Sequence, residues 1–338
     1  MANKVYIVLL TYNGSLDTVE CLESVLKLNY GNYQIIVVDN SETLEAFENL
    51  TNWARGNFII KDASFENLVF PLEHKPVHFC ITSEDGFLDS ELNEKIIFVK
   101  ANNNNGFAAG NNIALKYISK FGSKEDYIWL LNNDTVVEKN ALSEIVLRIK
   151  ESENENYKLI FGTPLLEYYN PTIIQSIGGI YNKKTGMTSH FGEGKTIEGC
   201  DYKFEESNNT IDYPLGASML IGISFLKEIG LLNEGYFLFY EELDWTYRAK
   251  AIGGGISIIN YFGVYHKQGN STKTKKKERK SEFIDLLSLK NRIVFAQKFN
   301  KKNINLVCLS ILTLTVGKRV LQGNFKIIPK IIQLIIKK

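Results

Sequence analysis

Residues 126–134 read "DYIWLLNND", and the way this run stops decides how the chain is organised. Tyr127 to Leu131 are continuously apolar, as in a strand buried on both faces. Asn132, Asn133 and Asp134 then put two amides and a carboxylate at its end. Two readings stand: a turn entering a helix, or a metal site holding a charged ligand.

The same ending recurs upstream. "KVYIVLLTYN" closes on Thr11, Tyr12 and Asn13, "YQIIVVDNS" on Asp39, Asn40 and Ser41, and "KIIFVKANNNNGF" on Asn102 to Asn105. Leu16, Val19, Leu22, Val25 and Leu26 follow the first run at helical spacing, with Ser15 as the expected N-cap, and "AAGNNIALKYISKF" reads as the helix after the third. Strands alternating with helices predict βαβ units and an α/β fold, a parallel, doubly wound sheet. Open sheets of this kind take ligands at the carboxyl ends of their strands, so four polar ends on one edge predict a nucleotide site there.

Composition narrows the function. With 338 residues the chain can bury a large core, and its net charge of +1 argues against nucleic acid as partner. The four cysteines form no CxxC pair and read as reduced thiols of a cytosolic protein. No GxGxxG follows a strand, which disfavours a dinucleotide dehydrogenase, and no Ser-His-Asp or catalytic Cys arrangement is visible. A nucleotidyltransferase would need a Gly-rich basic phosphate loop after the first strand, and none is there.

Other stretches carry expectations of their own. Residues 42–95 read as a loop-like insertion without chemistry, and Pro76 between His74 and His78 argues against a helical metal pair. "SIGGIYNKKTGMTSHFGEGKTIEG" suits hairpins that floor a substrate site. In "YFLFYEELDW", Glu241, Glu242 and Asp244 could simply cap a helix, but the aromatic wall before them would raise a carboxyl pKa toward that of a general base. His266 ends a strand-like run ahead of a polar loop and the basic tract 273–280, where a diphosphate could be gripped. The uncharged stretch from Ile304 to Gly317 is shorter than a membrane span of about 18–20 residues, so the C-terminal region reads as helices lying on a membrane surface, lysines toward anionic headgroups. A helical pair packed back on the main domain is the alternative.

Six blocks in order, "LLTYNG", "IIVVDNS", "NNNNGFAAGNN", "WLLNNDT", "YEELDW" and "VYHKQGNS", make residues 4 to 272 resemble inverting glycosyltransferase family 2, in its rhamnosyltransferase-like and galactofuranosyltransferase-like branch. The resemblance implies a GT-A fold over residues 1–272, with 273–338 a basic, amphipathic helical appendage. It implies a sugar nucleotide as donor, dTDP-rhamnose first and UDP-sugars next, and Mg²⁺ or Mn²⁺ as cofactor. Thr11, Tyr12, Asn13, Asp39 and Asn40 would meet the nucleotide, with Thr11 and Asp39 contacting base and ribose. Asn105, Gly106, Phe107, Gly110 and Asn111 would line the sugar-nucleotide pocket. Asp134 would ligate the metal and His266 join it or the diphosphate, with Asn132 where the family has a first acid and Asn133 beside it. The base falls on Glu242, where the family has aspartate, with Asp244 and Glu241 as alternatives. Gly216, Ala217 and Trp245 would line the acceptor side.

The acceptor so implied is a growing, lipid-linked glycan of a bacterial cell surface. The protein would be cytoplasmic, peripheral on the inner face of the membrane. A GT-A-like protein that binds sugar nucleotide or polysaccharide without turnover is the runner-up.

Overall fold

The computed structural model describes residues 2–152, 158–198, 210–267 and 282–336. The first half winds the strands β1 (Val5–Thr11), β2 (Tyr33–Asp39), β3 (Phe79–Ser83), β4 (Ile96–Lys100), β5 (Tyr127–Asn132) and β6 (Thr135–Val137) around helices α1 (Ser15–Leu26), α2 (Glu45–Arg55), α3 (Glu66–Val69) and α4 (Gly106–Phe121). After α5 (Ala141–Ser152) come β7 (Leu159–Gly162), β8 (Leu165–Glu167), β9 (Ile174–Ser176), β10 (Gly178–Tyr181), β11 (Thr188–Phe191) and β12 (Ser218–Gly222). Helices α6 (Ile223–Ile229) and α7 (Glu241–Ala251), strands β13 (Gly255–Ile258) and β14 (Val264–His266), and helix α8 (Glu282–Phe299) lead to the C-terminal helices.

One sheet runs β13-β7-β12-β5-β1-β2-β4-β3, and its parallel centre is sandwiched by helices. Alternation along the strands sorts the two faces. Val5, Ile7, Leu9, Ile35 and Val37 pack with α1, α2 and α5, while Tyr6, Val8, Ile36 and Val38 pack with α4, α6 and α7. Each such fully buried Ile or Leu contributes about 1.5–3 kcal/mol over leaving it exposed. The chain leaves β1 toward β2 on one side and returns to β5 on the other, so the order reverses between β1 and β5. That reversal opens a crevice at their carboxyl ends. Register there sets Leu10 beside Asn132.

Three expectations change. The segment 42–95 holds two helices and β3, which pairs in parallel with β4 as the sheet's edge, so much of it is framework. Gly14, not Ser15, occupies the N-cap of α1, without a side-chain cap. The helical run Lys301–Leu321 spans 21 residues and is long and apolar enough, by length and composition alone, to cross a membrane. Counting only uncharged residues had put it short. Val307, Ile311, Ile327 and Ile331 pack on Leu289, Ile293 and Ala296 of α8, so the packed-back arrangement is present, yet Leu309, Leu314 and Leu321 of the same run stay exposed.

Cys21, Cys80 and Cys308 are free thiols; Cys200, the loop after His266 and the tract 273–280 lie outside the described residues.

Candidate active site

A cavity of about 650 Å³ occupies the crevice, a size that suits a small-molecule ligand. Of the expected residues, Thr11, Tyr12, Asn40, Gly106, Phe107, Asn132, Asn133, Asp134, Gly216, Ala217, Glu241, Glu242 and His266 line it.

The two amides of the opening motif have separate tasks. Asn133 Nδ2 donates to Thr18 Oγ1 at 2.9 Å and lies 3.3 Å from Thr11 Oγ1, locking the end of β5 to the β1–α1 turn. Asn132 Nδ2 instead reaches His266 Nε2 at 3.3 Å. His266 arrives from β14, which pairs with β6 so that His266 stands opposite Thr135, next to Asp134. Its Nε2 lies 3.1 Å from Asp134 Oδ1.

Gln175 fixes the imidazole. Its amide nitrogen donates to the His266 carbonyl at 3.1 Å, so its Oε1, 2.7 Å from Nδ1, accepts the Nδ1 proton. In neutral His266 the Nε2 lone pair then faces a carboxylate oxygen with no proton between them, which is where a cation fits. With no cation there, an imidazolium at His266 is the alternative: burial pushes the Asp134 carboxyl up, but the His266 charge and Nε2–H hydrogen bond, with Asp134's own backbone N–H and Lys267, outweigh it and hold the group below its usual range. One carboxylate oxygen and one imidazole nitrogen suit a hard divalent ion whose remaining positions are filled by phosphate oxygens and water. Among the described residues no cluster of three or more His, Cys, Asp or Glu would hold an ion by itself.

Glu241 and Glu242 open α7 on the other wall. Glu241 is buried, its Oε2 has no hydrogen-bond partner among the described residues, and burial followed by the charge of Glu242 raises its carboxyl well above the usual range. Glu242 is partly open to the cavity and accepts a hydrogen bond from Gly216 N at 3.3 Å. Burial raises its carboxyl too, against its own backbone N–H and that of Gly216.

Other expected residues stand away from the cavity, each for a physical reason. Asp39 is fully buried and saturated: Ser41 donates from N and Oγ, and Lys100, its register neighbour on β4, from Nζ at 3.1 Å. Asn40 is what that strand end presents to the cavity. Asn13 takes φ 53° with its N–H on Ser41 Oγ, Asn105 is exposed ahead of α4, and Asn111 turns its amide back to Phe107 O. Gly110 sits behind the wall, where a Cβ would stand 2.7 Å from Asn40 Nδ2. Asp244 is fully buried and receives Arg248 Nε, Lys298 Nζ, Tyr236 OH and Asn233 Nδ2, so it has no capacity left to act as base. Trp245 is in the core, its Nε1 on Gly230 O.

Sequence reasoning passed over Gln175, Tyr213 and the α8 residues Phe283, Ile284 and Ser288, all of which line the cavity. Only the aromatic beginning of α8 could have hinted at its share.

Residues 6–67 match the family model described as "Glycosyl transferase family 2". The low-salt glycan biosynthesis hexosyltransferase Agl10 of Haloferax volcanii is 22% identical over 233 residues, 66% of this chain and 67% of that protein. Among solved structures, residues 1–349 of S. aureus TarS in complex with UDP-GlcNAc align with a TM-score of 0.54 and 13% identity over 98% of this chain and 79% of that one. Against a longer TarS chain the TM-score is 0.48 at 12% identity, over 91% of this chain, which spans 43% of that length. The alignment at a TM-score of 0.54 shows the fold, GT-A, and nothing beyond the fold.

Proposed function

We propose that this chain, a glycosyltransferase by its matched domain and its fold, moves a sugar from a nucleoside-diphosphate sugar to a hydroxyl of a growing cell-surface glycan, with inversion. The observation that carries this reading is that Glu242 lines the same cavity as the Asp134–His266 pair. A single displacement needs a base on the acceptor side and charge neutralisation on the leaving-group side.

In this mechanism Glu242 accepts the proton of the acceptor hydroxyl. The freed oxygen attacks the anomeric carbon, and the nucleoside diphosphate leaves with the bonding pair. Its upward-shifted carboxyl suits proton transfer near neutral pH. Asp134 and His266 would hold Mg²⁺ or Mn²⁺, which when bound offsets the charge of the diphosphate. Thr11, Tyr12 and Asn40 face the nucleotide, and Gly216 and Ala217 the acceptor. A dTDP-sugar such as dTDP-rhamnose is the first donor to test, by the blocks of sequence. UDP-hexoses come next, UDP-GlcNAc being the ligand of the TarS structure.

The chain would work as a peripheral protein on the cytoplasmic face of the membrane, at a lipid-linked acceptor. Residues 286–338 hold eleven of the 39 Lys and Arg and none of the 38 Asp and Glu. Cations around exposed leucines suit an anionic lipid surface.

The deciding experiment incubates wild type and Glu242→Gln with dTDP-rhamnose and UDP-hexoses and measures sugar transfer to cell-envelope glycan. Transfer by wild type and loss in the variant support the reading. Tight binding without transfer, unaffected by the substitution, would establish a non-catalytic binder instead.

A further inference from the structure

We propose that Asn291, on α8 of the C-terminal region, is a positioning residue that holds the turn delivering Glu242 to the cavity. The inference rests on the transferase reading above and extends it to a helix outside the matched sequence blocks.

The turn between Tyr236 and α7 has an unusual backbone. Phe237, Phe239 and Tyr240 take φ of 61°, 72° and 77°, the left-handed region that L side chains avoid because Cβ crowds the carbonyl. Three such residues in four persist only where surrounding structure imposes them. Glu241 and Glu242 follow immediately as the first turn of α7. The path of this turn therefore sets where both carboxylates stand.

Two grips close on it. From the donor side, Phe107 N donates to Phe237 O at 2.6 Å, and the Phe237 carbonyl fills the space a side chain on Gly106 (φ 92°) would need. From the C-terminal side, Asn291 is fully buried with Nδ2 at 2.7, 2.8 and 3.1 Å from the carbonyls of Tyr236, Leu238 and Phe239. One amide thus serves three carbonyls of the strained turn. Its own Oδ1 finds no partner among the described residues, a cost to stability that an apolar residue would not carry.

The same helix face continues the grip. Phe283 meets Phe237 edge-on with centroids 5.9 Å apart, and Lys298 binds Asp244 of α7 at 2.6 Å. Phe283, Asn291 and Lys298 are spaced by eight and seven residues, which keeps them on one side of α8. The C-terminal region is thereby part of the machinery that aims the base, beyond any service as an anchor.

The test compares Asn291→Leu, which keeps the shape and removes the donors, with Leu289→Ala, which loosens the packing of α8 on the C-terminal helices without touching the turn. Two readouts are taken on the full chain. One is release of UDP from UDP-glucose and of dTDP from dTDP-rhamnose, with cell-envelope glycan as acceptor; the other is hydrogen exchange in residues 236–244. Asn291→Leu is expected to lower kcat at least tenfold, leave the donor KM within twofold, and speed exchange in that segment. Leu289→Ala should do none of these.

An unchanged kcat, unchanged exchange, or an equal loss in Leu289→Ala overturns the proposal. If wild type turns over no sugar nucleotide, the transferase reading fails, while the exchange comparison still decides whether Asn291 holds the turn. Should Asn291→Leu not fold, Asn291→Gln, whose amide is displaced by one methylene, takes its place. Intermediate kcat and exchange then support the role, and values equal to wild type overturn it.

Discussion

The Gly216 amide and the Glu242 carboxylate are in direct contact: Gly216 N donates to Oε1 at 3.3 Å, and a Cβ added at Gly216 would stand 2.5 Å from the same oxygen. Glycine here leaves room for the carboxylate. Because the crowded atoms are the far end of a side chain, Gly216→Ala should displace the carboxylate and spare the fold. We expect kcat to fall about tenfold or more, as misplacing a catalytic group by about 1 Å does, with little change in thermal midpoint. Steady-state kinetics beside a melting curve checks this; a lost midpoint with intact kcat would contradict it.

Glu242→Gln keeps the size of the side chain and removes its basicity. General-base loss is worth about 10²–10⁴ in rate, so kcat should drop by that range while nucleotide affinity stays within a few fold. Calorimetric titration with UDP or dTDP beside the transfer assay separates the two.

The upward shift at Glu242 gives the rate profile a sign. Only the ionised carboxylate accepts a proton, so kcat should fall as pH is lowered through a value above the ordinary glutamate range. An acid limb at the ordinary value would count against Glu242 as the base.

Glu241 makes a stability prediction of the opposite cast. Its folded pKa is raised, first by burial and then by Glu242, above its unfolded value. Its stabilising contribution is therefore full below the unfolded value and lost as pH rises through the folded one. Glu241→Gln should gain thermal midpoint over wild type progressively as pH rises above the ordinary glutamate range. A constant offset as pH rises would be the contrary result.

At the other wall, Asp134→Ala should abolish metal-dependent stabilisation by the nucleotide. A ligand at 100 times its Kd stabilises the native state by about 2.7 kcal/mol, which a melting scan with dTDP or UDP, with and without Mn²⁺, resolves readily. Equal shifts in wild type and variant would remove Asp134 from the diphosphate site.

Replacing exposed Leu309, Leu314 and Leu321 together by glutamate adds charge to the apolar face without opening the packed cluster on α8. The prediction is a shift of the protein from the membrane to the soluble fraction of lysed cells. Unchanged fractionation would remove this face as the docking surface.

The sequence by itself determined the layered sheet and the edge where its site opens. Apolar runs such as Ile35 to Val38 and the helical spacing of Val19, Leu22 and Val25 are local patterns, and burial follows from them. Polar residues at the ends of those runs had no core to join, so Thr11, Asn40 and Asp134 were legible as cavity residues. Tertiary structure alone decided which acids remain free. Asp39 looks like Asp134 in sequence, but its register neighbour Lys100 consumes it, and Asp244 looks like Glu242 until Lys298, 54 residues on, neutralises it. A carboxylate's availability depends on partners brought near by the fold, at separations no local pattern encodes. For the same reason Gln175 and Asn291 were invisible: each acts through contacts with atoms more than fifty residues away along the chain.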